Sequence, residues 1–432
     1  MTRRSIWQVS APAVNVLRGV ALGSVVGCLC GLASAAFLAA LEWVTDFRTD
    51  NTLIVFALPL AGLGIGLVYG RLGKDIAPGT NLILETANDP ARPAIPLRMA
   101  PMVLVGTVLT HLFGGSAGRE GTAVQMGASL ADGVARTFHL QGRLRSELLV
   151  AGMAGGFGSV FGTPVAGLVF GLEVIVIGRL SYAAILPAAF AALVGDMVTH
   201  ATGMAHVPYP TVAKLGLTPL VLAKWVLFGL VMAAVVVVFI RLTAGLKATL
   251  TRFIPALPLR MASGGLLVVL MWQLAQTDDY LGLGIPTLVR AFSDPDLASN
   301  AFALKLIFTA VTLSAGFLGG EVTPLFFIGA ALGNVFGRWL GLPLDLAAGV
   351  GMAAAFATAS NTPIALSIMA VELLGSAVLP HVVIVSVVAF IVSGNHSIFH
   401  AHRLAQPKHG HQRFDEPIPL AQLAKRDGSQ PS

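Results

Sequence analysis

GGSAGREGTAVQMG, Gly114 to Gly127, sets an arginine and a glutamate side by side in a glycine-rich hinge between apolar flanks. What that pair does depends on the solvent around it, and composition decides the solvent. Of 432 residues, 55% are hydrophobic and 11% charged, with a mean hydropathy of +0.81. Soluble domains carry about 25% charged residues, so the chain reads as an all-α polytopic membrane protein. Apolar runs recur from Val14 to Val392, and nothing between them resembles a separate soluble domain.

Arg3 and Arg4 precede no small-residue cleavage site, so residues 1–11 read as a retained cytoplasmic N-terminus. Residues 401–432 carry Arg403, Lys408, Arg413, Lys425 and Arg426, which by the positive-inside rule makes them a cytoplasmic tail, expected to be disordered. The net charge of +6 therefore reports topology, and no nucleic-acid partner is expected. A chain this short suits a bacterial inner membrane. Cys28 and Cys30 diverge on an apolar helix, so neither a disulfide nor a metal site is expected, and no cofactor either.

Between the ends, many apolar runs are shorter than the roughly 20 residues of a simple span. Pro101 to Phe113 stops at the hinge, and the run from Leu325 to Leu340 starts directly after Pro324. With 48 glycines and 24 prolines, the pattern predicts tilted and broken helices whose freed backbone groups line a cavity or are buried in protein. Gly23, Gly27 and Gly31, then Gly62, Gly66 and Gly70, are assigned to close helix crossings.

The chain also repeats itself. AGMAGGFGSVFGTPVAGLVFGLEV, from Ala151, aligns without a gap to VGMAAAFATASNTPIALSIMAVEL, from Val350, an offset of 199 residues. Gly118, Glu120 and Thr122 likewise match Gly319, Glu321 and Thr323 in GFLGGEVTPLFFIGAALG, at an offset of 201. The membrane part, 12–400, thus divides into repeats of roughly 12–205 and 206–400. Glu173 and Glu372, which close the repeated segment, read as structural partners of backbone or helix ends.

A glycine break that opens a helix leaves backbone N–H groups unpaired at the positive end of the macrodipole, where anions bind. Two such ends from two repeats can hold a dehydrated anion without a full positive charge. A third candidate is PGTNLILE, Pro78 to Glu85, where Gly79 breaks the chain and Thr80 and Asn81 offer side-chain donors. In this setting Glu120 can occupy the site as a tethered substitute anion, leave when protonated, and so serve as both gate and proton carrier. Gly118, Arg119 and Gly121 shape the site around it, Arg119 by adding positive potential. The plainer reading of Arg119 and Glu120 is a neutralising pair, against which stands the rule that helix neighbours do not face one another.

GSAGREGTAVQMG resembles the GREGP signature of the CLC family of chloride channels and proton-coupled anion antiporters. GFLGGEVTPLFFIGAALG resembles its GxFxP segment, PGTNLI occupies the place of GSGIP, and GNHSIFHAHR, from Gly394, resembles GxxSIYPxQ. The resemblance implies inverted repeats, a homodimer with one pore per subunit, an anion held by helix N-termini, and a gating glutamate at Glu120. Thr122 replaces the signature's proline, Thr80 stands at the central-serine position, and Glu321 and Thr323, which flank Val322 in the expected anion site, stand where chloride-transporting relatives have uncharged apolar and small residues. That combination resembles the fluoride-exporting branch, in which an acid and a nearby threonine of the second half take part in fluoride and proton handling. Glu321 is expected to stay protonated while the site is filled, the alternative being a carboxylate that caps its own helix. Phe399 replaces a usual tyrosine and is either a constriction or a packing residue. Asp196 and His200 read as a helix-surface pair and not as an inner proton acid.

The reading that results is a fluoride/proton antiporter whose partners are fluoride, protons, membrane lipid and a second copy of itself. A chloride/proton antiporter or chloride channel on the same fold is the alternative. An intramembrane enzyme is remote, because no serine or cysteine nucleophile with a local base and no paired metal-ligand histidines on one helix are found.

Overall fold

The structure, a computed structural model, describes residues 12–406, 408, 414, 416–420 and 422. Arg3, Arg4, Arg413, Lys425 and Arg426, on which part of the topology reading rests, lie outside them. Among the described residues, eight α-helices fill the first half: α1 (Pro12–Asp50), α2 (Leu58–Leu72), α3 (Thr80–Asn88), α4 (Met99–Leu112), α5 (Glu120–Thr137), α6 (Arg143–Phe161), α7 (Pro164–Glu173) and α8 (Ile185–Ala201). Eight more fill the second: α9 (Pro219–Phe253), α10 (Leu257–Ala275), α11 (Ile285–Arg290), α12 (Ala301–Ala315), α13 (Val322–Leu340), α14 (Leu344–Ser360), α15 (Pro363–Leu374) and α16 (Leu379–Val392). The two sets correspond one to one, with a short helix third in each set and a proline-started helix seventh. Among the described residues, five helical segments are long and apolar enough to cross a membrane, while others such as Met99–Leu112 and Ala301–Ala315 are half-spans.

The 199-residue offset survives folding. α6 ends on Gly162 and α14 on Asn361, both left-handed, and Thr163-Pro164 and Thr362-Pro363 then open the next helices. The two carboxylates that close these helices are exchanged. Glu173 accepts the N–H groups of Ile364 (3.2 Å) and Ala365 (2.8 Å) at the start of α15, and Glu372 accepts those of Val165 (3.0 Å) and Ala166 (2.8 Å) at the start of α7. Each repeat thereby caps a helix of the other, satisfying N–H groups that have no partner inside their own helix.

Small residues set the crossings. A Cβ on Gly23, Gly27 or Gly31 would stand 2.5–2.8 Å from a backbone oxygen of α8, and one on Gly62 or Gly66 would meet α10. Gly70 departs from this reading, since its missing side chain faces open space. α6 and α14 are buried along almost their whole length and form the centre of the molecule. The start of the tail also departs from the disorder expected of it. Arg403–Leu404 forms the middle strand of a three-stranded sheet, parallel to Val176–Ile177 and antiparallel to Ile418–Pro419.

Candidate functional site

The two glycine hinges meet at backbone level. Gly118 N–H donates to Gly320 O (2.6 Å) and Gly320 N–H to Gly118 O (2.8 Å), an antiparallel bridge between the repeats. A Cβ on Gly118 would lie 2.9 Å from Gly320 O, and one on Gly320 would lie 2.7 Å from Gly121 N. Only glycine permits this approach, and through it the N-termini of α5 and α13 face a common point.

This bridge corrects the register of the second repeat match. Gly118 pairs with Gly320 and not with the aligned Gly319, so the structural offset here is 202, one more than the sequence match gave. Arg119 and Glu321 are consequently equivalent, each the N-cap of its helix, whereas Glu120 is the first residue inside α5.

Glu120 does not serve its own helix. Its carboxylate crosses to α13, where it accepts the Thr323 hydroxyl (2.5 Å) and the Thr323 backbone N–H (3.1 Å); it also accepts Arg119 N–H (3.1 Å). Val322 and Thr323 are the first two residues of α13, whose N–H groups have no intrahelical acceptor. The side chain is 1% exposed. Arg119 Nε lies 3.4 Å from Glu120 Oε1 without forming a hydrogen bond. The two neighbours therefore do meet, against the expectation from helix spacing, because an N-cap residue has not yet entered the helix. The ion-pair contact coexists with the carboxylate's place at α13.

Two cavities approach this point, and Glu120 lines neither. One, of about 360 Å³, is bordered by Gly79, Thr80, Asn81, Glu321 and Phe399. The other, of about 510 Å³, is bordered by Arg119, His206 and the second half of α1. Gly79, Thr80, Asn81, Glu321 and Phe399 of the expected anion site, together with Thr122, thus share one cavity, while Arg119 belongs to the other and Glu120, Val322 and Thr323 line neither.

Around the first cavity, Gly79 has a left-handed φ of 60° and begins α3. Thr80 Oγ1 accepts Gln125 Nε2 (3.3 Å), which leaves the Thr80 hydroxyl proton free to donate. Asn81 Oδ1 accepts Ala401 N–H (2.9 Å) and latches the segment that carries Phe399. That segment is fixed further by Ser397 Oγ, which accepts Phe399 N–H (3.0 Å) and pairs with His402 Nδ1 (2.9 Å), while His402 Nε2 donates to Val174 O (2.8 Å). Phe399 packs edge-on against His402 with ring centres 5.1 Å apart. Glu321 occupies the N-cap position of α13 but makes no side-chain cap bond, so it does not cap its own helix; the site it would have taken holds Glu120.

Sequence reading missed Gln125, Lys247, Arg260 and His400, which also line this cavity, and Thr107, the buried partner of Thr122, whose hydroxyl stands 2.7 Å from that of Thr122. Gln125 lies inside the opening stretch, and a polar amide five residues after Glu120 was the signal available.

The family model for voltage gated chloride channels matches residues 61–394. The chloride/fluoride channel protein of Pseudomonas syringae pv. tomato is 43% identical over 418 residues, covering 94% of this chain and 91% of that one. A crystal structure of a CLC-type fluoride/proton antiporter superposes with a TM-score of 0.88 at 36% identity, covering 91% of this chain and 100% of the other. A slow cyanobacterial Cl-/H+ antiporter shares the fold at a TM-score of 0.75 and 20% identity, covering 87% of this chain and 94% of that one. With a match over most of its length and all four motifs in order, the chain belongs to the voltage-gated chloride channel family, the CLC family.

Proposed function

We propose that the protein is a secondary active transporter that exports fluoride in exchange for protons, with Glu120 as gate and proton carrier. The observation that carries this reading is the Glu120 carboxylate, held on the N-terminus of a helix from the other repeat, with its neighbour Arg119 lining one cavity and Glu321 of that helix end lining the other. An anion of the right size would use the same donors. When a proton adds to the carboxylate, the charge-assisted part of its attraction to α13 is lost, and the side chain can leave. Fluoride then takes the Thr323 hydroxyl and the helix N–H groups. Return of the ionised carboxylate, after its proton is released on the other side, expels the anion.

Fluoride is small and strongly hydrated, so a site that strips its water must return short, strong hydrogen bonds. Thr80 and Thr323 hydroxyls and a protonated Glu321 supply them. Fluoride stands in the names of both the Pseudomonas chloride/fluoride channel protein and the solved fluoride/proton antiporter.

Residues 38–49 of α1 border the Arg119-side cavity, and at 39 residues α1 is about 58 Å long, so its start belongs to the opposite face. With both termini cytoplasmic in an inner membrane, the Thr80 cavity faces the cytoplasm and the Arg119 cavity faces outward. Each chain builds the gate from its own residues, so a homodimer would hold one pore per subunit. Proteoliposomes loaded with fluoride should lose it with opposing proton movement, and chloride-loaded ones should lose their anion far more slowly. Proton-coupled efflux as fast for chloride as for fluoride would make this a chloride/proton antiporter. Anion efflux without proton movement would make it a channel, and no anion flux, with turnover of a lipid or peptide, an enzyme.

A further inference from the structure

Asp196 and His200 stand one turn apart near the C-terminal end of α8, and Gly203, at a left-handed φ of 82°, turns the following chain back so that His206 joins them. One ligand atom from each of the three residues lies within 4.8 Å of the others. The rings of His200 and His206 are 4.9 Å apart, centre to centre. Around a tetrahedral zinc at about 2.0–2.2 Å, such atoms would stand roughly 3.3–3.5 Å apart, which small rotamer changes achieve.

The second shell is already in place. His206 Nε2 lies 2.9 Å from Ser159 O, and as the donor in that bond it leaves Nδ1 with a bare lone pair. This is how metal-bound histidines are commonly oriented. His206 Nδ1 is buried without a hydrogen-bond partner, and Asp196 Oδ1, buried and without a hydrogen bond, has the His200 ring nitrogen beside it at 3.2 Å. His200 is exposed and gives a route in from solvent. Glu42, Asp46, Asp278 and Asp279 border the same cavity as His206, against Arg48 and Arg119, so acids outnumber arginines there and favour the approach of a cation.

We propose that Asp196, His200 and His206 form a site for a borderline transition-metal dication of the zinc class, with water completing the coordination, and that its occupancy slows transport. The ligand set of two imidazoles and one carboxylate suits zinc. The bound ion ties the segment Met204–Pro208, which lines the Arg119-side cavity, to the end of α8. It also places a double positive charge on the path by which protons would approach Glu120 from that side.

The test uses the purified full chain, with any affinity tag removed, and zinc chloride as the probe. Calorimetric titration should find one zinc per chain, weakened about tenfold or more by His200→Ala and by His206→Gln. His200 is exposed, so its alanine variant tests the site without threatening the fold. Zinc added on the Arg119 side of proteoliposomes should slow fluoride-coupled proton movement in the native protein and leave the two variants at their zinc-free rate. No stoichiometric binding, or binding unchanged in both variants, overturns the site. Binding without any effect on flux overturns the regulatory role. The flux measurement rests on the transport reading above, but the titration does not, so the two can fail separately.

Discussion

Thr323 gives both its backbone N–H and its hydroxyl to the carboxylate of Glu120, a residue 203 positions earlier and in the other repeat. The helix end that could bind an anion is therefore held by a carboxylate of the protein itself.

Thr323→Val keeps the backbone donor and the shape but removes the 2.5 Å hydroxyl contact. A hydrogen bond to a charged group contributes about 1.5–3 kcal/mol. Fluoride affinity should fall by about ten- to a hundredfold, equivalent to roughly 1.4–2.7 kcal/mol, because the anion and the carboxylate use the same hydroxyl. Anion leak uncoupled from protons should rise as the gate is held less firmly. Fluoride titration and paired flux measurements check both effects, and native values in both would remove Thr323 from the site.

The exchange between Glu173 and Glu372 is structural, and its failure should read as lost stability. Glu173→Ala strands two N–H groups at the start of α15, for about 1–3 kcal/mol. The melting temperature in detergent should fall, and the proton-to-fluoride ratio of what remains folded should not change. An altered ratio at native melting temperature would give Glu173 a part in transport instead.

Gln125 lies where a side chain on Gly79, just before α3, would go. A Cβ at Gly79 would lie 3.2 Å from Gln125 Nε2, on a backbone whose φ of 60° already disfavours a side chain. Gly79→Ala should therefore displace Gln125 from Thr80 and slow fluoride transport. Gln125→Leu, which deletes the 3.3 Å bond without backbone strain, should have the same effect, about 0.5–1.5 kcal/mol in fluoride affinity. If Gly79→Ala slows transport and Gln125→Leu does not, the strain matters and the bond to Thr80 does not.

Glu321 faces the Thr80 cavity while Glu120 holds the helix end that Glu321 could have capped. Glu321→Gln keeps hydrogen-bonding capacity but cannot exchange a proton, and should impair fluoride transport. Glu321→Ala should in addition weaken discrimination against chloride. Native rates and native selectivity in both variants would remove the main chemical support for fluoride over chloride.

Most of this site was legible because hinge chemistry is written in residue types. Glycine, acid and threonine before a helix mark Glu120 and Thr323 without any coordinates. The one-residue register error between the hinges arose because matching letters aligned Gly118 with Gly319, whereas backbone pairing selects Gly320. The contact between Arg119 and Glu120 was missed because the helix-neighbour rule was applied one residue too early. Gln125 was in view, but its partner Thr80 is 45 residues away and only tertiary packing joins them. His206 joined Asp196 and His200 through a glycine turn that carries no periodic signal. The strands at 403–404 and 418–419 are two residues each, too short for any alternation to reveal.

The central claim is that the Glu120 carboxylate is both the substitute anion and the proton carrier. Its most direct test is proton movement driven by a fluoride gradient in proteoliposomes of Glu120→Gln. The amide is nearly the same shape, so the protein should fold and purify as the native one does. It cannot take up a proton or compete as an anion, so fluoride-driven proton movement should vanish while fluoride itself still binds or leaks. Proton movement at the native rate in this variant would contradict the account.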